Sequence, residues 1–334
     1  MNVLFLIGNG FDLNLGMKTS YSDFYKYYKE VHKDSVPIRK LKEEISRNFK
    51  NWSDLELELG RYTEKIESTQ QFDEIFEDIG EELSKYLQHE EDQFDFSKVD
   101  KKKLHDFLSF PENSLPDADR IRITSLRDRW KSLPWYVRIV TFNYTRTLEK
   151  LLGDKTNKLQ IGSHHNSGIV LQGIEHIHGY ANDRMVMGVN DISQIKNTAF
   201  HNNQDVIEAL VKSSCNQATR HNKDILCKEQ ISSAHLICIY GSSLGDTDIL
   251  WWELIGKRLT NDCHLIIFSK GEEINPRIAY KKGRIERAIK ESFLNKTNLP
   301  EETKRKIEKN IIIGLNTDMF SIVNKRSDHA VKVI

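Results

Sequence analysis

The chain opens on MNVLFLIGNGFD, and no other stretch narrows the fold as much. Val3 to Ile7 is an apolar run with no alternation. Such a run is a strand covered on both faces, as in the centre of a parallel sheet. Gly8-Asn9-Gly10 ends it abruptly, and backbone without Cβ atoms can turn sharply and stand close to a ligand. Phe11 to Leu15 and Thr19 to Tyr28 then carry helical patterns. Strand, glycine turn and helix start form an anion cradle, because the first N–H groups of a helix lack intrahelical acceptors. The next glycine comes only at Gly16, so the G-x-G-x-x-G spacing of dehydrogenases is not met. The same residues also fit a plain strand-to-helix turn, and an Asn-Gly pair suits a hairpin.

Further apolar runs follow at Val137 to Phe142, Ala234 to Tyr240, His264 to Phe268 and Ile311 to Ile313. Ile169 to Leu171, Ile174 to Ile177 and Met185 to Val189 are shorter strand-like pieces. Helical patterns separate them, at Thr145 to Leu152, Ile249 to Leu259, Pro276 to Phe293 and Glu301 to Asn310. Strands alternating with helices mean an α/β fold with a mostly parallel sheet. Between the first two strands, apolar residues recur at helical spacing through Leu55, Leu59, Phe72, Ile75, Ile79, Leu83 and Leu87. The expected organisation is a discontinuous α/β domain from 1–30 and 135–334, with a helical insertion at 31–134. In the insertion, Asn51-Trp52-Ser53-Asp54-Leu55-Glu56 reads as a capping box with Ser53 as N-cap and Glu56 three residues on. A pocket role for Trp52, Asp54 or Glu56 is the alternative.

The 334 residues carry 49 Lys+Arg and 49 Asp+Glu. That balance argues against nonspecific grip on nucleic acid, which needs excess cationic side chains. No apolar run approaches the roughly 20 residues that span a bilayer. The apolar N-terminus lacks a basic flank and a cleavage site, so it reads as a core strand and not a signal peptide. Cys215, Cys227, Cys238 and Cys263 form no C-x-x-C pair. A reduced, cytoplasmic protein is expected.

The strand ends carry the chemistry. Gly8-Asn9-Gly10, Asn143, His178-Gly179 and Gly241-Ser242-Ser243 all stand where apolar runs stop. In an open α/β sheet such ends face the ligand crevice. Together they line a pocket of amides, hydroxyls and one imidazole, suited to a ligand bearing phosphate and ribose. His178 is the candidate general base, since an imidazole titrates near neutrality. Asn143 is the candidate orienting group, with a turn-capping role as its plain alternative. Asp246 or Asp248 can cap the helix that starts at Ile249. His164, His165, His176 and His178 could be read as a metal cluster, but no cysteine accompanies them and no metal is expected.

The ordered set GNGFDL, TSYSDF, NWSDLE, VTFNYT, IHG, GVND and GSSLGDTD, from Gly8 to Asp248, resembles the AbiH family of bacterial abortive-infection proteins. That family in turn resembles the sirtuin-like superfamily, a Rossmann-type doubly wound fold. There a Gly-Ala-Gly turn, a Thr-x-Asn-x-Asp strand end, a His-Gly and a Gly-x-Ser loop surround NAD. In this chain Gly8-Asn9-Gly10 stands at the first and Thr141-Phe142-Asn143-Tyr144-Thr145 at the second. His178-Gly179 stands at the third and Gly241-Ser242-Ser243 at the fourth. Thr145 replaces the usual Asp, and the zinc-binding cysteine pairs of sirtuin deacylases are missing.

The resemblance implies an anti-phage effector that depletes NAD+ by cleaving the nicotinamide–ribose bond, with NAD+ as substrate and no cofactor required. It implies catalytic roles for Asn143, which would orient water or a ribose hydroxyl, and for His178, which would accept the proton. Gly8, Asn9, Gly10, Phe11 and Asp12 would form the nucleotide-binding turn, with the Gly8 to Phe11 amides on the diphosphate. Thr141, Gly241, Ser242, Ser243 and Asp246 complete the binding set, Ser243 and Asp246 against ribose or adenosine. Implied partners are NAD+ or a related nucleotide, a phage-derived trigger and a second copy of the chain, without a membrane. Two other readings remain open: an NAD or ADP-ribose sensor without catalysis, and another nucleotide-directed activity such as a nuclease.

Overall fold

The computed structural model describes residues 1–153, 158–220, 223–273 and 275–323. Seven strands form one sheet in the order β3-β4-β2-β1-β5-β6-β7. They are β1 (Asn2–Ile7), β2 (Trp135–Thr141), β3 (Leu159–His164), β4 (Ser167–His176), β5 (Leu236–Tyr240), β6 (His264–Ser269) and β7 (Ile311–Leu315). All neighbours pair in parallel except β3, which runs antiparallel to β4. β1 sits centrally because Val3 to Ile7 are all buried, which only a strand flanked and covered on every side allows. Its register places Ile7 beside Thr141 on one side and beside Tyr240 on the other. The chain winds from β1 toward β2 and β4, then crosses back to β5, β6 and β7. The order therefore reverses between β1 and β5, the position where open α/β sheets hold ligands.

The pleat of β1 separates two cores. Val3, Phe5 and Ile7 face one set with Leu104, Phe107, Leu108, Ile123 and Leu148. Leu4 and Leu6 face the opposite set with Ile231, Trp252, Ile255 and Phe293. Strand side chains alternate between faces, so helices cover both. A third core joins Phe24, Tyr28, Leu41, Trp52, Leu59, Ile79 and Leu83 to Met187, Val189, Phe200 and Leu210. The helical stretch between β1 and β2 is thus divided. Helices Lys101–Ser109 and Asp117–Asp128 lie on the sheet, whereas Tyr21–Glu30, Val36–Arg47, Leu55–Tyr62 and Thr69–Gln93 build a lobe with the segment after β4.

Several local expectations are corrected. Ile169 to Leu171 and Ile174 to His176 belong to one strand, β4, which stops before Ile177 and whose pairing with β2 shifts register between Val137 and Ile139. Met185 to Val189 forms no strand; it joins the lobe core and makes a single bridge from Val189 to Val211. The N-cap of helix Leu55–Tyr62 is Asp54, which accepts from the Leu57 amide at 3.1 Å, while Ser53 closes a short 3-10 turn. Glu56 is thereby freed from capping. Trp52 is a core residue, edge-on to Tyr25 at 6.1 Å. Among the described residues, no helix is long and apolar enough to cross a membrane.

Candidate active site

The turns after β1 and β5 lock into each other. The Gly8 amide donates to Tyr240 O at 2.9 Å, Gly10 to Gly241 O at 2.8 Å, and Phe11 to Gly8 O at 3.0 Å. A Cβ on Gly8 would stand 2.7 Å from Gly241 O, and one on Gly10 would stand 2.5 Å from Gly241 Cα. Gly241 itself has φ +70°, a left-handed value that favours glycine. The three glycines therefore serve backbone packed on backbone. The amides of Gly8, Gly10 and Phe11 thus have carbonyl partners and are not free to hold a diphosphate. The Asn9 side chain is engaged, its Nδ2 donating to Thr19 O at 2.8 Å and its Oδ1 accepting from Thr19 Oγ1 at 2.6 Å. Phe11 is fully buried in the core beside Tyr240 and Phe320.

Above these turns lies a cavity of about 1060 Å³. Its wall includes Gly8, Asn9, Gly10, Asp12, Asn143, His178, Gly241, Ser242 and Ser243, so all four strand ends meet in one place. Thr141 lies beneath it, fully buried, where its hydroxyl donates to Ile7 O and accepts from the Asn143 amide at 3.1 Å. It shapes the turn that presents Asn143 and is not itself part of the wall. Asn143 Oδ1 is buried without a hydrogen-bond partner. Asp12 is fully buried as well; its Oδ2 accepts from the Thr145 hydroxyl, and its Oδ1 has no partner. Burial lifts the Asp12 carboxyl from 3.8 to about 6, against the hydroxyls of Thr145 and Thr147 and the side-chain amide of Asn143. Asp12 and Asn143 thus neighbour each other on the wall, with acceptor oxygens that a ligand donor can reach.

His178 stands two residues past the end of β4. The turn behind it depends on Gly179, where φ is +72° and a Cβ would collide with Arg184 O at 1.8 Å. The His178 ring faces Phe142 and Tyr144, and its Nε2 lies 3.2 Å from Asp248 Oδ1 in an ion-pair approach not aligned as a hydrogen bond. Asp248 also accepts from Lys212 Nζ at 2.9 Å, and Lys212 reaches Glu56 Oε2 at 2.9 Å. Glu56 Oε1 accepts from the Tyr144 hydroxyl at 2.7 Å. A continuous polar chain therefore runs Tyr144–Glu56–Lys212–Asp248–His178. Burial pushes the Asp248 carboxyl up, but Lys212 and then His178 outweigh it and hold it below the usual carboxylate range. Burial likewise opposes the Lys212 charge, and Asp248 and Glu56 more than restore it.

Two expectations about this wall change. Asp246 is not on it; its carboxylate pairs with Lys296. Asp248 begins helix Ile249–Leu259 without a side-chain cap bond, because its carboxylate is turned to Lys212 and His178. The four histidines do not converge. His164 stacks on Trp135 at 3.8 Å, and His176 bridges Asn143 O at 2.9 Å and Glu149 Oε1 at 2.7 Å. Of the four, His178 lines the cavity.

The cavity also extends past the expected strand ends, over Ser269 at the end of β6, Lys270 beyond it, and Asn316 and Thr317 after β7. Lys270 is exposed there, and no carboxylate among the described residues pairs with it. Of the charged groups here, Lys212 was not expected, Asp248 was expected only as a helix cap, and Glu56, which lines the wall with Asp54, had a pocket role only as the alternative. The capping-box pattern pointed to Glu56 for another reason, and Lys212 sits in no motif.

A family model described as bacteriophage abortive infection AbiH matches residues 4–269 of the chain. No curated protein matches it.

Proposed function

Since the chain belongs to the AbiH family of bacteriophage abortive infection, we propose that it is an anti-phage effector that hydrolyses NAD+ at the nicotinamide–ribose bond. The observation that carries this reading is the meeting of Asn143, His178 and Asp248 on one wall of a dinucleotide-sized cavity at the parallel strand ends. The sheet order and the four convergent turns support the sirtuin-like reading of the fold. The carboxylate missing at Thr145 has a counterpart here, because Asp12 receives the Thr145 hydroxyl.

In the reaction, a water oxygen bonds to ribose C1′ as the carbon–nitrogen bond breaks. The electron pair leaves with the pyridinium, which becomes neutral nicotinamide, and the water proton goes to His178. Asp248, ionised and against Nε2, favours the tautomer that carries its proton there and leaves the other ring nitrogen to act as base. Asn143 Oδ1 accepts from the water or a ribose hydroxyl, and Asp12 Oδ1 accepts from a second ligand donor. Positive charge builds on the sugar in the transition state, and the Glu56 and Asp248 carboxylates favour it more than bulk water does. With the Gly8, Gly10 and Phe11 amides engaged, the phosphates lie toward Ser243 and Lys270.

Removing a positioned base or orienting group costs about a hundredfold or more. Cells carrying the wild-type protein, Asn143→Ala or His178→Ala are challenged with a phage that triggers defence, and NAD+ is measured through infection. Wild-type cells lose NAD+ and both variants keep it while accumulating folded protein. Loss of NAD+ at the wild-type rate in both variants would sink the assignment.

A further inference from the structure

Lys212 opens helix Lys212–Ala218, next to the segment that joins the lobe core, and its side chain is 9% exposed. An ammonium group has three donors. Here it meets Glu56 Oε2 and Asp248 Oδ1 at 2.9 Å and Thr247 O at 3.2 Å, so all three are engaged. The acceptors come from different parts of the fold: Glu56 from the lobe, Thr247 and Asp248 from the turn after β5.

We propose that Lys212 is a positioning residue of this site, which fixes Asp248 against His178. The proposal rests on the hydrolytic reading above. A carboxylate at the start of a helix ordinarily folds back onto the first free amides. Asp248 has that position and forgoes that bond, and Lys212 is the cation that draws its Oδ1 away. The same oxygen is the one 3.2 Å from His178 Nε2. A lysine serving only to tie the lobe to the sheet would need Glu56 and the Thr247 carbonyl, not the oxygen that faces the imidazole. Lys212 does not line the cavity, so it acts through Asp248 and not on the ligand. The charged and titratable groups around this pair are Glu56 and Asp54 from the lobe, Tyr21 from the first lobe helix, and Tyr144 after β2.

A double-mutant cycle on the full chain tests this. The His178 ring nitrogens are followed by nitrogen-15 NMR at one fixed pH in wild type, Asp248→Asn, Lys212→Met and the double variant. Asp248→Asn moves the His178 ring-nitrogen resonances when Lys212 is present. In the Lys212→Met background the same change has less than about a third of that effect, because Asp248 is no longer held there. Lys212→Arg keeps the full shift, and Lys212→Gln replaces Lys212→Met should the latter fail to fold. Equal shifts from Asp248→Asn in both backgrounds overturn the proposal. NAD+ hydrolysis is a separate readout, where Lys212→Met lowers kcat and leaves KM in place. A wild-type protein that cleaves no NAD+ refutes the hydrolytic reading, and the NMR cycle still decides whether Lys212 holds Asp248.

Discussion

Replacing Asp12 by asparagine separates stability from function at this site. The carboxyl is fully buried and is lifted from 3.8 to about 6. Ionising it in the fold therefore costs ~3 kcal/mol relative to the unfolded chain. The sign follows from the order of the two titrations. Below about pH 4 both states are protonated and there is no penalty. The penalty grows between that pH and about 6, and it is fully present above it. The replacing amide is neutral at every pH and matches the shape of the protonated acid. Asp12→Asn should leave stability almost unchanged at pH 4 and raise it by up to ~3 kcal/mol at pH 8, on the order of 5 °C in Tm. Urea unfolding of both proteins from pH 4 to 8 measures this directly. The same substitution should weaken ADP-ribose binding, since a site that gains stability on losing a group is one that kept the group for its ligand. A variant less stable than wild type at pH 8 would refute the reasoning, because Asp12 would then be an ordinary structural acceptor.

Gly10→Ala forces a Cβ to within 2.5 Å of Gly241 Cα, backbone against backbone, and should cost ~1–3 kcal/mol in denaturant unfolding. Arg127→Met strands the carboxylate of Glu112 that Arg127 pairs in the core, where the two side chains are 1% and 5% exposed. It should cost ~3–5 kcal/mol by the same assay, and adding Glu112→Gln should recover most of the loss. Lys270→Glu should raise KM for NAD+ about tenfold while leaving nicotinamide riboside, which has no phosphate, unaffected. An equal change for both substrates would place the phosphates elsewhere.

The central strands were legible because nothing else fits an unbroken apolar run bounded by glycine. β1, β5 and β6 are buried on both faces, and their sequences say so residue by residue. β3 was not legible. It is an edge strand, LQIGSH, with Ile161 as its buried residue, so it carries no apolar pattern. Met185 to Val189 misled for the opposite reason: its apolar side chains pack against helices of the lobe, and burial there needs no ladder. The glycines at 8, 10 and 241 were visible, but only coordinates reveal that what each missing Cβ makes room for is another turn and not a ligand.

The site divides in the same way. Asn143 and His178 stand out in the sequence because polar residues at strand ends break an apolar pattern. Asp248 was legible only as a candidate helix cap, a bond it does not make, because its partner Lys212 lies on a separate helix. Lys212 sits in KSSCNQA, with no feature to distinguish it from a solvated lysine until the fold closes three acceptors around it. Glu56 had a sufficient local explanation in the capping box, and it took the observed cap at Asp54 to release it for Lys212 and Tyr144.

The most direct test is incubation of the purified protein with NAD+, alone and with lysate from phage-infected cells, with both products followed by mass spectrometry. The account predicts nicotinamide and ADP-ribose in equal amounts, abolished by His178→Ala. NAD+ that stays intact under both conditions while it binds the cavity stoichiometrically would contradict hydrolysis and make the site a sensor.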